Sequence, residues 1–193
     1  MSRRATFLLA VTFLAVACGG TPAPSGDPPT TDPPVFGIRG ADHEFVLTVA
    51  LPRLQWLSAE QIPVATTLTW TGAAPKQEIW GSGSGHVSFL FRELGGAGRT
   101  MGGGGTDDCR PTSYVRGQPV AIPVAKSGGF DGEDPNAAFY QQWYREPGLR
   151  LPAGRWQLIV GANGFLVPCE AGALELKLTL APLELEIRRR SVA

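Results

Sequence analysis

The 193-residue chain has little histidine, little cysteine and no excess of charge, and these shortages exclude several classes of function. Its two histidines, His43 and His86, lie far apart, and its three cysteines include no Cys-x-x-Cys pair, so the common zinc-ligand spacings are missing. The 17 basic and 17 acidic residues balance. Because nucleic-acid binding normally needs a clustered basic surface, we expect no nucleic-acid partner.

Catalytic and cofactor motifs are also missing. The serines of segment 81–85 are out of phase for a Gly-x-Ser-x-Gly nucleophile elbow, and segment 95–105 has neither a phosphate-loop nor a dinucleotide fingerprint. We interpret both as flexible hairpin loops. His86 falls on the polar side of its predicted strand, opposite in phase to Val87 and Phe89. We expect no cofactor and no catalytic residue.

The N-terminus has the layout of an export signal. Arg3 and Arg4 precede an apolar run from Phe7 to Ala17, which is shorter than the roughly 20 residues that span a bilayer. The small residues before Cys18 resemble the lipobox of bacterial lipoproteins. This resemblance implies a signal peptide at 1–17, lipidation of Cys18 and a membrane partner reached through the lipid. An ordinary secretory signal cut elsewhere and a twin-arginine route are the alternatives.

Segment 18–36 is rich in proline, glycine and threonine and has no large apolar residue before Val35. Such a composition cannot build a core, so we predict a disordered tether at about 3 Å per residue where it is extended. Loss of Arg3 and Arg4 with the signal would leave 15 basic and 17 acidic residues, a net charge of −2. The tether would hold the next domain near a bacterial membrane, facing the periplasm or the exterior.

With Cys18 assigned to lipid, Cys109 and Cys169 remain as a pair in an exported chain. A disulfide is the simplest interpretation, because exported proteins commonly meet an oxidising compartment. Closing a loop of about sixty residues would stabilise the fold by roughly 4 kcal/mol in the chain-entropy model.

Segment 37–188 shows an apolar period of two, which is typical of strands with one buried face. The alternating sets begin at Phe45, Val64, Val87, Val120, Trp156, Leu174 and Leu183. Pro182 separates the last two, so they form either one long strand with a kink or bulge or two edge segments. Seven or so short strands with turns between them predict an all-β fold, an antiparallel β-sandwich, followed by a short basic tail at 189–193.

Two motifs support a family resemblance. The run from Tyr114 to Val120 is similar to the Tyr-x-x-Gly-x-Pro-Val start of a strand in bacterial immunoglobulin-like domains. The run from Leu151 to Trp156 resembles the Leu-Pro-x-Gly-x-aromatic turn before a late strand in such domains. The resemblance implies an immunoglobulin-like sandwich and no activity. The cysteine pair falls in loop-like sequence, unlike that of an antibody domain.

One segment predicts a short helix, with Asp134 as its cap, Pro135 at its first position and Pro147-Gly148 as its stop. Its aromatic residues are spaced for one face and are candidate binding residues: Phe139, Tyr140, Trp143 and Tyr144. That face either closes one end of the sandwich or stays exposed to stack on a glycan or peptide.

The turn before this helix has four oxygen-bearing side chains: Asp131, Glu133, Asp134 and Asn136. Asn136 and Gln142 stand where an EF-hand needs glycine and an acid, so that motif fails. A solvated turn that caps the helix is the favoured interpretation, and an irregular calcium loop is the alternative.

These features together predict a lipid-anchored, non-catalytic binding or structural module. The aromatic helix and the loops 95–105 and 127–136 are its candidate contact sites. A carbohydrate or cell-wall binding module is the first alternative, and a hydrolase with its site in the sandwich loops is the second. The partner would be a glycan, a cell-wall polymer or a protein.

Overall fold

The computed structural model describes residues 36–106, 108–170 and 173–190, so the predicted signal, Cys18 and the end of the tail lie outside the described residues. Within these ranges there are twelve strands and one helix. The strands are β1 Phe36–Asp42, β2 Phe45–Leu51, β3 Gln55–Leu57, β4 Ala65–Trp70, β5 Lys76–Gly81, β6 Val87–Glu93, β7 Thr100–Gly103, β8 Arg110–Val115, β9 Val120–Ala121, β10 Gly154–Phe165, β11 Glu175–Thr179 and β12 Leu183–Arg188. The helix is α1 Ala137–Arg145.

The strands form two packed sheets, which confirms a β-sandwich as the fold class. The smaller sheet has the order β1-β2-β4-β9, and the larger one is built around β10, which pairs with β5, β6, β11 and β12. The prediction of about seven strands was too low, because five further strands, β1, β3, β5, β7 and β8, lie outside the alternating runs. The prediction of wholly antiparallel pairing was also wrong, since the short β3 runs parallel to β12.

The alternation in the sequence gives the buried face of each sheet. Phe45, Leu47 and Val49 are buried on β2, and Trp156 and Leu158 on β10. Their side chains meet between the sheets because alternate strand residues point to the same face. Two expectations fail at the ends of strands: Leu174 precedes β11 and is 53% exposed, and His86 precedes β6 and is only 1% exposed.

The leucine-rich C-terminal run follows β10 as two strands with a bulge between them. Leu158 pairs with Leu183 and Gly161 with Thr179, so three steps along β10 correspond to four on the partner side. The extra residue falls beside Pro182, which has no N–H to give to a ladder. Both sequence alternatives are therefore realised in part.

The sandwich has two distinct ends. One end lies next to the predicted tether, and we call it the tether end; there Phe36 pairs with Leu51. The chain continues from β2 to β3, where Leu57 pairs with Arg188. At the opposite, disulfide end, the Lys177 N–H donates to an Asp42 carboxylate oxygen at 2.9 Å. This end also holds the Cys109–Cys169 pair.

The helix α1 lies at the tether end and begins later than predicted. Its N-cap is Asn136, without a side-chain cap bond, whereas Asp134 uses its carboxylate to bind the Asn136 N–H at 2.6 Å. Pro135 therefore precedes the cap. The stop at Pro147-Gly148 is close to the prediction, because the helix ends at Arg145. No helix in the described ranges is long and apolar enough to cross a membrane.

Candidate functional site

Two of the four aromatic residues predicted for binding belong to the core. Tyr140 is 7% exposed and Trp143 is 3% exposed. The Trp143 indole N–H donates to the Arg150 carbonyl at 2.8 Å, and the Tyr140 hydroxyl accepts the Thr100 N–H at 3.3 Å. Neither ring is open for stacking. The alternative that this face closes the end of the sandwich is the one that the structure supports, because burial of an apolar face is what stabilises so short a helix.

The other two rings are half-buried and already have neighbours. The Arg99 guanidinium lies 4.4 Å from the centre of the Phe139 ring. Tyr144 stacks on Phe130 with the ring planes 10° apart and the centres 6.3 Å apart. Phe130, which is 40% exposed in the predicted contact loop 127–136, is the most open aromatic ring of this region.

Lys126 holds the end of the helix. Its ammonium group donates to the carbonyls of Trp143 and Glu146 and lies 4.1 Å from the centre of the Trp143 ring. Burial lowers the pKa of Lys126, partly offset by the nearby Glu146. A cation at these carbonyls satisfies groups that the helix itself leaves unpaired.

Two carboxylates of the acidic turn accept hydrogen bonds from backbone N–H groups of the same turn. Asp131 accepts the Glu133 N–H at 2.9 Å, while Asp134 accepts the Asn136 N–H, as described above. In the described ranges, no three His, Cys, Asp or Glu side chains are grouped so that they could hold a metal ion. These bonds are those of a local turn, and the part of the favoured interpretation in which the turn caps the helix is wrong, because no side chain of the described residues caps α1.

The cysteine pair lies at disulfide distance, with the Cα atoms of Cys109 and Cys169 6.0 Å apart and 60 residues between them in sequence. It joins the start of β8 to the segment after β10. This is the pairing that the sequence predicts. The bond restrains two loops that carry few buried side chains.

Near this bond lies an open cleft of about 430 Å³, and a second hollow, lined in part by Trp70 and Leu174, is nearly as large at about 420 Å³. Five polar side chains line the cleft: Ser82, Thr106, Asn163, Glu175 and Lys177. The remaining lining includes Phe165 and three glycines, at positions 81, 105 and 164. The cleft therefore offers hydroxyl, amide, ammonium and carboxylate groups beside a half-buried ring.

A hydrogen-bonded network of hydroxyl groups holds one wall of the cleft. Ser82 Oγ lies 2.8 Å from Ser84 Oγ and accepts the Thr106 N–H at 2.8 Å. Asp108 accepts the Gly83 N–H and the Thr106 hydroxyl, both at 2.8 Å. The Gly83 N–H is the main cause that lowers the pKa of Asp108. The segment predicted as a flexible loop carries these hydrogen bonds and forms a polar wall of the cleft.

Behind this wall His86 is buried against glycine. A Cβ added to Gly164 would lie 3.1 Å from His86 Nδ1, and one added to Gly81 would lie 3.4 Å away. Neither ring nitrogen has a hydrogen-bond partner among the described residues. Burial lowers the pKa of His86, and it raises the pKa of the neighbouring Tyr114 to about 12. Both groups are therefore held in their neutral forms near pH 7.

The charged side chains of the cleft are available to a ligand. Glu175 and Lys177 are exposed on β11, and neither has an ion-pair partner in the part of the chain that the structure describes. The serine hydroxyls bond to their neighbours, and the histidine lies beneath the surface. The arrangement provides hydrogen-bonding groups for a polar ligand.

Sequence reasoning missed this cleft, because its residues come from four separate segments. Its only overlap with the predicted contact loops is Gly105, at the end of loop 95–105. The one signal in the sequence that could have indicated the cleft is glycine at positions 81 and 164, within strands. A side chain at either position would contact the His86 ring. Comparison with protein-family models, curated proteins and solved structures found no match.

Proposed function

We propose that this chain is a lipid-anchored, extracytoplasmic binding module whose ligand site is the cleft at the disulfide end. The observation that carries the proposal is the placement of this cleft, because the chain joins the sandwich at Phe36, at the opposite end. A chain anchored at Cys18 would therefore reach the sandwich at the end away from the cleft. The immunoglobulin-like relationship is part of this proposal and is supported by the buried Tyr114 and Trp156 of the two motifs.

The anchor is tested by intact-mass spectrometry of the native protein from a membrane fraction, with and without reduction. We expect the mass of a chain that begins at Cys18 and carries a diacyl or triacyl group. Reduction of the Cys109–Cys169 bond should add about 2 Da, since each sulfur gains a hydrogen. An unlipidated chain would contradict the anchor, and free thiols before reduction would contradict the disulfide.

A cell-wall glycan is the ligand class that the lining supports best. The cleft presents side-chain amide and hydroxyl groups, one ammonium and one carboxylate, and Phe165 supplies an apolar surface. Sugars need this combination, since they carry many hydroxyl groups around apolar ring faces. The buried Tyr140 and Trp143 have no part in this version of the carbohydrate proposal.

The test is binding of the mature chain to purified, soluble cell-wall glycan fragments, measured by calorimetry. We expect Asn163→Ala and Lys177→Gln each to weaken binding about 10-fold or more, because each removes hydrogen bonds to the ligand. Lys76→Gln is the matched control, since Lys76 is an exposed lysine at the far end of β5. Equal affinity for all three variants would exclude the cleft as the site.

Hydrolysis is not part of the proposal. A two-acid glycoside hydrolase needs two facing carboxylates, and Glu175 is the one carboxylate that lines the cleft among the described residues. Incubation of the same fragments with the protein, followed by chromatography, checks this point. Release of shorter glycans would replace the binding proposal with the hydrolase alternative.

A further inference from the structure

The edge of the larger sheet at the tether end is rich in arginine. Five arginines lie on or beside β3 and β12: Arg53, Arg155, Arg188, Arg189 and Arg190. Three glutamates lie among them: Glu60, Glu184 and Glu186. We call this group of residues, together with Phe36 and Leu57, the arginine corner.

Three of the five arginines are neutralised within the corner. Arg53 pairs with Glu60, Arg155 pairs with Glu184 at 2.9 Å, and Arg188 pairs with Glu186 at 3.0 Å.

Arg189 and Arg190 are exposed and form no ion pair within 4 Å in the described ranges, although the charge of Arg190 also acts on Glu60. The Arg190 N–H contacts the Ser58 hydroxyl at 3.3 Å, which ties the chain after β12 to the chain after β3. With five arginines and three glutamates, the corner carries a net charge of +2.

The corner also exposes two large apolar side chains. Phe36 is 40% exposed and Leu57 is 45% exposed, and these are two of the six large apolar residues with such exposure in the described chain. Apolar side chains flanked by arginine are typical of surfaces that rest on a lipid interface.

The acidic turn lies near the opposite edge of the same sheet. Asp131 and Asp134 line a small hollow with Thr100, which begins β7. β7 lies beyond β6, and β6 pairs with the opposite edge of β10 from β12. Its negative charge is therefore separated from the arginine corner by the width of the sheet.

We propose that the arginine corner is the face with which this domain contacts an anionic lipid membrane. The corner includes Phe36, the residue at which the tether joins, so a lipid on Cys18 keeps this end within about 17 tether residues, or roughly 50 Å, of the bilayer. Arg189 and Arg190 then attract anionic headgroups, while Phe36 and Leu57 enter the interface. This inference rests on the proposed lipid anchor.

The test uses the chain from Gly19 to Ala193, whose core lies wholly in the described residues, so that binding reports the surface without the lipid. Sedimentation with vesicles of phosphatidylglycerol and phosphatidylcholine, or of phosphatidylcholine alone, gives the partition coefficient. We expect binding to the anionic vesicles that falls with salt. The double variant R189Q/R190Q should bind about 10- to 30-fold more weakly, because each arginine near such a surface contributes about 1 kcal/mol.

The matched control is K76Q/R116Q, which removes two exposed charges outside both the corner and the cleft and should bind like the parent chain. Melting curves of both variants check that they fold. Equal binding to neutral and anionic vesicles, or equal loss in both double variants, would overturn the inference. Anionic binding by a chain that mass spectrometry shows to be unlipidated in cells would contradict the anchor and leave the surface standing. Lipidation without vesicle binding would contradict the surface alone.

Discussion

The two ends of this sandwich are closed in different ways. At the tether end, α1 covers the gap between the sheets and buries Tyr140 and Trp143. At the disulfide end there is no comparable cap among the described residues, and the loops that meet there are rich in glycine and serine. A covalent bond between Cys109 and Cys169 joins them.

The difference shows that an apolar cap and a disulfide bond stabilise the end of a sandwich with different consequences for solvent access. An apolar cap excludes water and leaves little room for a ligand. A disulfide restrains loops without burying them, so polar groups such as Asn163 and Lys177 stay exposed. The disulfide end can therefore keep its polar groups open to solvent while its loops are restrained.

The largest effect that we expect comes from removing the cap. Trp143→Ala deletes a ring that is 3% exposed, packs on Lys126 and bonds to the Arg150 carbonyl. We expect a loss of about 4 kcal/mol in the free energy of unfolding, measured by urea denaturation. Phe130→Ala is the control and should cost less than about half of this, because Phe130 is 40% exposed. Near-parental stability of the Trp143 variant would show that this end does not depend on the aromatic cap.

The disulfide end is tested by C109A/C169A. Loss of a bond with a sequence separation of 60 should cost at most about 4 kcal/mol, the chain-entropy value, most of it through greater freedom of the unfolded chain. We also expect faster hydrogen exchange in segments 81–85 and 104–110, since their hydroxyl network is exposed to water. An unchanged exchange pattern, measured by mass spectrometry, would show that hydrogen bonds alone order the cleft wall.

A partly buried ion pair supports the tether end. Glu93 accepts two side-chain bonds from Arg99, at 2.7 and 2.9 Å, and the Arg99 guanidinium lies over the Phe139 ring of the helix. These bonds hold the pKa of Glu93 below its usual value of 4.5. Its stabilising effect is therefore complete above about pH 4.5 and is lost as the pH falls through the folded-state pKa.

We expect Glu93→Gln to lower the free energy of unfolding at pH 7 by about 2 kcal/mol and to reduce the loss of stability between pH 5 and 3. Urea denaturation across this pH range measures both effects. Glu184→Gln is the control, with less than about 1 kcal/mol expected for an exposed pair. Identical pH profiles for the parent and Glu93→Gln would show that this ion pair does not contribute to the pH dependence of stability.

The strands were the predictable part of the fold. Alternation of apolar residues depends on local geometry alone, so the buried faces that begin at Phe45 and Trp156 follow directly from the sequence. The parallel β3–β12 pair did not follow, because three residues, Gln55–Leu57, carry no readable period. The start of α1 was misplaced because Asp134 binds a turn N–H that precedes the helix.

The candidate site was much less predictable than the strands. The aromatic spacing of α1 is the same whether the face is buried or exposed, and only the sheets around it decide the outcome. The cleft combines Ser82, Thr106, Asn163 and Lys177 from separate parts of the chain. Their proximity depends on strand pairing that no local pattern contains. His86 was placed on the wrong face because it precedes β6, where the alternation of the strand does not apply.

The smallest effect that we expect comes from His86, the buried histidine behind the cleft wall, and is a dependence of the free energy of unfolding on pH. Its ring is 1% exposed, and burial lowers its pKa from 6.5, so the folded protein resists binding a proton that the unfolded chain accepts. The stability that the neutral ring provides is complete above pH 6.5. It falls with decreasing pH, by at most about 1.4 kcal/mol per pH unit, until the folded-state pKa is reached. Urea denaturation at pH 7.5 and 5.5 measures this loss, and His86→Phe should remove it. If the parent and His86→Phe lose equal stability over this range, the ring is protonated in the folded state without cost and the disulfide end is wetter than the structure indicates.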